Sequence, residues 1–361
     1  MTVHVHGYEM TGAGEPLRPA TRTVEEPGDA DALVEVAGCG LCHTDLGFLY
    51  DGVRTRHPMP LILGHEIAGV VRAAGPDWQH LLGQAVVVPA VVPCGACVDC
   101  RAGHPMICKA QVMPGNDRDG GFASHVLVPA RGLCPVPGFH GDPDAPLGEA
   151  GLSLRHLAVI ADAVSTPFQA VRRAGLSEGD LAVVVGLGGV GGYAAQLALA
   201  SGAFVVGLDP SPQRRQAAAA LGVGLVLDPR ERSPRDLKKA IAAWAGEVGA
   251  PATRWTLLEC SGTAQGQSTA FELLVHGATL CVVGFTMDKL ELRLSNLMAF
   301  DARALGNWGC DPALYPEIVD LALSGAIDLR GQTELRPLST IAEAFAEVHE
   351  HRASRRIVLV P

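Results

Sequence analysis

A chain of 361 residues, 48% of them apolar, holds enough material for about two domains with large buried cores. Its 28 basic and 38 acidic residues leave a net charge of −10 with no long basic run, which argues against a nucleic acid or an anionic membrane as partner. Its 43 glycines and 25 prolines are scattered and no internal repeat is visible, so it is neither low-complexity nor a solenoid.

The opening segment, MTVHVHGYEM, has no basic-then-apolar leader, and nothing else reads as a membrane span, so a cytoplasmic protein is expected. In that compartment the ten cysteines are reduced thiols or metal ligands rather than disulfides. Residues 1 to about 36 look like strands and turns, with Leu33 to Ala37 alternating as a half-buried strand does. Cys42, in Gly40-Leu41-Cys42-His43-Thr44-Asp45, and His65, in Gly64-His65-Glu66, offer the thiolate and imidazole that zinc prefers. Each alone also reads as an ordinary core residue.

Cys94, Cys97, Cys100 and Cys108 are another matter. Four thiolates in one short loop match a closed tetrahedral zinc site. A ferredoxin-type cluster would want a shorter last gap followed by proline, and Lys109 stands there. Cys39, Cys134, Cys260, Cys281 and Cys310 lie scattered on apolar segments and read as buried reduced thiols.

The stretch from Leu181 to Asp209 organises the rest. An apolar β-branched run, Leu181 to Val185, leads into Gly186-Leu187-Gly188-Gly189-Val190-Gly191, which fits G-x-G-x-x-G. A small-residue helical pattern follows, then a second apolar run, Phe204 to Leu208, closed by Asp209. That is the order of a dinucleotide-binding βαβ unit, with the phosphates at the helix N-terminus. A membrane span is the rival reading, but the glycines and the break at Gly202 favour two buried strands flanking a helix. Asp209 favours NAD over NADP, because a carboxylate accepts from both ribose hydroxyls and repels a 2′-phosphate. Farther on, Trp255 to Leu258 and Arg355 to Val360 read as strands, and Cys281 to Phe285 reads as a strand and turn.

Together, the Gly40–Asp45 and Gly64–Glu66 segments, the four-cysteine lobe and the Gly186–Gly191 loop resemble the zinc-containing medium-chain alcohol dehydrogenases, in that family's order and across nearly the whole chain. The resemblance implies an α/β protein: a GroES-like β-rich catalytic domain over 1–163 and 307–361, with the structural zinc lobe at 93–109, and a Rossmann domain, a doubly wound parallel sheet, over 164–306. It implies NAD, two zinc ions per chain and a homo-oligomer, dimer or tetramer. The catalytic zinc would be held by Cys42, His65 and a third ligand, usually cysteine or glutamate. Here Asp162 falls at that position, an acceptable oxygen ligand. The competing reading is that Asp162 caps a helix beginning near Thr166. Glu66 would stand behind the metal.

The resemblance further implies that Thr44 handles the alcohol proton, that His43 faces the NAD pyrophosphate and that Thr166 packs near the nicotinamide. The Gly284-Phe285 backbone would hold the carboxamide, aided by the Gly306–Gly309 segment. Arg214 would lie over the adenosine ribose and Arg356 would reach the pyrophosphate, solvated charges being the alternative for both. Where many members carry a relay histidine this chain has Gly47, so the proton leaves through water or another group, His57 being one substitute.

Several segments, among them Tyr50 to His57, Pro114 to Asp117, Ala161 to Val164, Glu259 to Thr263 and Asn296 to Arg303, resemble the 6-hydroxycyclohex-1-ene-1-carbonyl-CoA dehydrogenases of anaerobic aromatic degradation. That implies a cyclic allylic alcohol carried on coenzyme A and oxidised to the enone, with hydration of the enone as a further activity. Arg54, Arg56, His57 and Asn116 would then meet the substrate, a solvated basic turn being an equal alternative for the cations. Two other readings stay open: a sorbitol-type secondary-alcohol dehydrogenase, and a zinc-independent quinone or enoyl reductase.

Overall fold

The computed structural model describes residues 2–361. The chain divides into two compact units: one formed by the residues up to Ser165 together with Gly309–Pro361, the other by Thr166–Trp308.

The first unit is built on antiparallel pairing. Its main sheet has seven strands, in the order Thr333–Pro337, Arg356–Val360, Asp31–Gly40, Glu66–Ala74, Ala85–Val88 and Cys134–Pro135, with His125–Pro129 also pairing with Asp31–Gly40. A three-stranded sheet of Arg18–Val24, Val3–Met10 and Leu61–Ile62 lies beside it in the same unit. Strand Asp31–Gly40 is the hub, flanked by Glu66–Ala74, His125–Pro129 and Arg356–Val360. It is buried along most of its length, with Glu35 and Ala37 half-buried between the buried Val34, Val36 and Gly38, the alternation expected of Leu33 to Ala37. Its register with Glu66–Ala74 shifts twice, at Leu33/Val34 and Val36/Gly38. Such bulges bend a strand and re-aim its neighbours. A buried 3-10 helix, Leu154–Ala161, packs in this unit and ends at Asp162. Residues 356–360 thus complete a sheet begun by residues 31–40.

The second unit is a six-stranded parallel sheet, ordered Leu225–Leu227, Phe204–Leu208, Leu181–Val185, Thr256–Glu259, Thr279–Val282 and Arg303–Gly306. This is the doubly wound order, with its switch point between Leu181–Val185 and Thr256–Glu259. All five residues of Leu181–Val185 are buried, as a parallel strand sandwiched by helices requires. The stretch that could have been a membrane span resolves into strand, helix Gly191–Ala200 and strand. Among the described residues no helix is long and apolar enough to cross a membrane.

Two boundaries differ from the sequence reading. Trp255 does not open its strand, which runs Thr256–Glu259; its ring is fully buried and its indole N–H donates to the Pro251 carbonyl at 2.9 Å. The strand read as beginning at Cys281 begins at Thr279 and runs to Val282, while Gly284 and Phe285 stand in the loop that follows, where a turn was expected. In both cases the neighbouring strands, not local propensity, decide which residues join the ladder.

Candidate active site

Cys42 sits at the N-terminus of the short helix His43–Leu49. Asp45, three residues on, is fully buried and folds back to accept the Cys42 amide at 3.0 Å and the Gly64 amide at 3.1 Å. One carboxylate therefore ties the loop bearing the cysteine to the loop bearing the next residue, His65. Gly64 has φ +98°, and a Cβ there would press on Cys39 Sγ at 2.8 Å, so glycine alone serves that turn.

The His65 ring is buried with Asp45 Oδ1 3.4 Å from its Nδ1, and its Nε2 lies 3.5 Å from Asp162 Oδ2. The same Asp162 oxygen is 3.4 Å from Cys42 Sγ. Tetrahedral zinc with bonds of about 2.0–2.3 Å has ligand atoms about 3.3–3.8 Å apart, so thiol, imidazole and carboxylate are spaced as such an ion needs. Nδ1 facing Asp45 leaves Nε2 for the ion, the usual carboxylate–histidine–metal arrangement. Burial pulls the His65 pKa down, but Asp45, Asp162 and Cys42 outweigh it and raise it well above the ordinary imidazole value. A cation is what this cluster of acceptors calls for.

Glu66 belongs to the same cluster by distance. Its carboxylate, however, is fully buried against Arg356, whose Nε donates to Oε2 at 3.1 Å and whose Nη2 donates to Oε1. Burial pushes the Glu66 pKa up, while Arg356 opposes the shift. Arg356, expected at a pyrophosphate, here has two of its guanidinium nitrogens on Glu66. Thr44 is exposed, with its hydroxyl 3.7 Å from Cys42 Sγ, and His43 is exposed and stacks on His351.

In the four-cysteine lobe the sulfurs of Cys97 and Cys100 are 3.4 Å apart, Cys97 and Cys108 3.8 Å, and Cys94 and Cys100 4.0 Å. These are far beyond a disulfide and near the roughly 3.8 Å edge of a ZnS4 tetrahedron. Amides point at the sulfurs: Ala96 and Cys97 to Cys94 at 3.4 and 3.2 Å, and Cys94 to Cys108 at 3.3 Å. The amides of Ala96 and Cys97 pull the Cys94 pKa down to about 6, whereas burial and Cys97 push Cys100 up to about 12.

In the nucleotide unit, Gly186 takes φ +88°, where a Cβ would meet the Ser261 backbone at 2.6 Å, and a Cβ on Gly191 would strike the Gly186 carbonyl. Helix Gly191–Ala200 begins at Val190 with no side-chain cap, and its Gly192 amide bonds the Gly188 carbonyl at 2.8 Å. Gly188, Gly189 and Val190 are the part of the loop that reaches solvent. Asp209 is buried, and its two oxygens accept the Leu187 and Ser211 amides, each at 2.8 Å. An ionised carboxylate keeps further acceptor capacity beyond two such bonds. Arg214 lies 3.8 Å from Asp209 and beside Gly188. Thr166 is buried, its carbonyl bonded to the Asn307 amide at 2.9 Å. The Gly284 carbonyl accepts from Gln267 at 3.2 Å, and the Phe285 ring is 70% exposed.

The expected substrate residues form a knot. Asn116 Oδ1 accepts the Arg56 amide at 3.0 Å, its carbonyl accepts the His57 amide at 2.8 Å, and Arg56 pairs with Asp117 at 3.2 Å. His57 Nδ1 is 2.7 Å from the Pro58 carbonyl. Arg56, His57 and Asn116 thus hold two loops together, while Arg54 is exposed. Sequence reasoning missed Asp45, which no motif marks as a partner of His65. It also missed the pairing of Arg356 with Glu66.

Comparison with known proteins now adds identity. Residues 28–138 match the family pattern "Alcohol dehydrogenase GroES-like domain", and residues 189–324 match "Zinc-binding dehydrogenase". A zinc-type alcohol dehydrogenase-like protein of Escherichia coli K12 is 31% identical over 297 residues, covering 79% of this chain and 78% of its own. The chain belongs to the zinc-containing medium-chain alcohol dehydrogenase family. Like the other members of that family it is an enzyme, an NAD(P)-dependent oxidoreductase acting on an alcohol. The L-galactonate-5-dehydrogenase of the same bacterium is 29% identical over 326 residues, 90% of this chain and 89% of the relative. The crystal structure of Escherichia coli galactitol-1-phosphate dehydrogenase shares the fold with a TM-score of 0.86 at 23% identity, covering 99% of this chain and 100% of that one. The expected GroES-like and Rossmann architecture is therefore borne out.

Proposed function

We propose that this dehydrogenase oxidises a secondary alcohol with NAD, using a zinc ion held by Cys42, His65 and Asp162, and carries a second zinc in the Cys94–Cys108 lobe. The observation that supports this most is the single Asp162 oxygen standing 3.4 Å from the thiol of Cys42 and 3.5 Å from the His65 ring. A divalent ion there would supply Lewis-acid polarisation of the substrate oxygen, and bound NAD would supply the hydride acceptor.

The chain's own residues do the rest. The Cys42 thiolate and Asp162 carboxylate bring two negative charges, enough to neutralise a divalent cation formally. Asp45 orients the His65 ring so that its outer nitrogen is the ligand. Arg356 keeps the Glu66 carboxylate paired behind the site. The Thr44 hydroxyl, exposed beside Cys42, accepts and passes on the alcohol proton. The Gly186–Gly191 loop and the N-terminus of the helix after it receive the NAD pyrophosphate, and Asp209 disfavours a 2′-phosphate.

For the substrate, the segments that resemble 6-hydroxycyclohex-1-ene-1-carbonyl-CoA dehydrogenases support a cyclic allylic alcohol on coenzyme A, with exposed Arg54 toward the anionic arm. A second reading, a hydroxylated sugar acid, is favoured by the 29% identity to L-galactonate-5-dehydrogenase; its carboxylate would suit the same arginine.

The test is a substrate panel with NAD, run beside metal analysis. Two zinc ions per chain, and NADH formation that stops when the more labile one is removed, support the mechanism. Full activity without it refutes the mechanism and favours a zinc-independent reductase. Turnover of the cyclic hydroxyacyl-CoA or of sugar acids decides between the substrates, and incubation with the enone reveals whether it is also hydrated.

A further inference from the structure

The Asp162 carboxylate is a short ligand. Aspartate has one methylene, so its oxygens follow the backbone closely and a small rotation of the preceding peptide moves them off the metal. The preceding peptide is planar and contains the Ala161 carbonyl and the Asp162 amide nitrogen as one rigid group. Whatever holds that carbonyl therefore sets where the Asp162 side chain starts.

Three donors surround it. The Tyr315 phenol donates to the Ala161 carbonyl at 2.6 Å. The Ala90 amide donates to the same oxygen at 3.2 Å. The Ser165 hydroxyl lies 3.1 Å from that oxygen and 3.1 Å from the phenol, bridging the two. Tyr315 and Ser165 are 1% and 0% exposed, so neither hydroxyl has water as an alternative partner. Burial raises the Tyr315 pKa well above the ordinary phenol value, which keeps the group a donor.

Phenylalanine would fill the same volume without this bond, so packing alone does not call for the hydroxyl. A buried phenol held at 2.6 Å on the carbonyl adjoining a metal ligand has the geometry of an outer support.

We propose that Tyr315 is a positioning residue for the third metal ligand: by holding the Ala161 carbonyl, with Ser165 and the Ala90 amide, it keeps the Asp162 carboxylate aligned with Cys42 and His65. This rests on the metal-site reading above and extends it to residues that touch neither the metal nor the substrate. Residue 315 is 154 positions from the carbonyl it holds, so the ligand set is sensitive to how the segment after Gly309 docks.

The test uses the full-length chain loaded with zinc, and separately with cobalt. In Tyr315→Phe, the more labile ion should leave to a chelator about tenfold faster, in the range that outer-sphere partners of a ligand contribute. The ion of the four-cysteine lobe should leave at the wild-type rate, and the cobalt visible spectrum of the labile site should change. In an Asp162→Asn background the same substitution should add nothing, because the ligand it supports is gone. Ser165→Ala should act in the same direction with a smaller effect, and serves if Tyr315→Phe does not fold. Unchanged release in both variants, or equal acceleration with and without Asp162, overturns the proposal. A wild-type chain with only one zinc overturns the metal reading itself, and this inference with it.

Discussion

Arg356 grips Glu66 through two guanidinium nitrogens, across 290 positions of sequence, in a place where both side chains are buried. A buried pair of this kind is hard to break from one side, because the survivor keeps its charge without water or partner. Arg356→Ala should therefore destabilise the chain by about 3–5 kcal/mol. Glu66→Gln combined with Arg356→Met should recover most of that loss. Urea denaturation of the single and double variants checks it; equal losses in both would show that the charge is not the cause.

If Asp162 is the third ligand, Asp162→Asn should keep the ion of the four-cysteine lobe and fill the Cys42–His65 site only at raised zinc. Partners behind a ligand contribute about 10–100-fold to metal affinity, so weakening the ligand itself should lower it by at least about 100-fold. Equilibrium dialysis against buffered zinc measures the change, and turnover should fall with occupancy. Retention of both ions at wild-type affinity would exclude Asp162 from the ligand set.

The four-cysteine lobe should show one reactive thiol once stripped of metal. Two amides lower the Cys94 pKa from 9.0 to about 6, so it is mostly thiolate at pH 7, while Cys100, pushed up to about 12, is not. Iodoacetamide should modify Cys94 first, with a rate that rises through pH 6 and levels off above it. As pH falls through that value the thiolate is lost and metal retention falls with it. Mass spectrometry of partly modified protein reports the order; preferential labelling of Cys100 would contradict it.

Gly191→Ala should separate cofactor binding from metal binding. The added methyl would strike the Gly186 carbonyl, which cannot yield without moving the turn. Overpacking of this kind costs about 1–3 kcal/mol, and the NADH dissociation constant should rise at least about tenfold. Zinc content should not change. Fluorescence titration with NADH is the measurement, and unaltered affinity would place the pyrophosphate elsewhere.

What could be read in advance was local. The cysteine spacing of the lobe, the apolar run before Gly186 and the small residues after it each carry their structure within a short window, so the parallel sheet and its glycine turn were legible. The partners of the site were not. Asp45 closes the Gly40–Asp45 motif, yet its role was not readable there, because it comes from Gly64 and His65 on another loop. Arg356 was read against a phosphate since nothing near it in sequence points to Glu66. Arg56 and Asn116 were read as substrate contacts, and only the folded loops reveal that Asn116 Oδ1 takes the Arg56 backbone amide while the Arg56 guanidinium meets Asp117. Tyr315 was not singled out at all, because the carbonyl it holds lies 154 positions away in sequence.

The pairing of residues 356–360 with the strand Asp31–Gly40 has a consequence for biosynthesis. The nucleotide-binding unit is one uninterrupted segment and can fold as soon as it leaves the ribosome. Its companion cannot, since Glu66 waits for Arg356 and the Ala161 carbonyl waits for Tyr315. During translation, Cys42, His65 and Asp162 are all synthesised long before the groups that steady them. Metal loading should accordingly be a late event, following release of the completed polypeptide rather than accompanying its emergence.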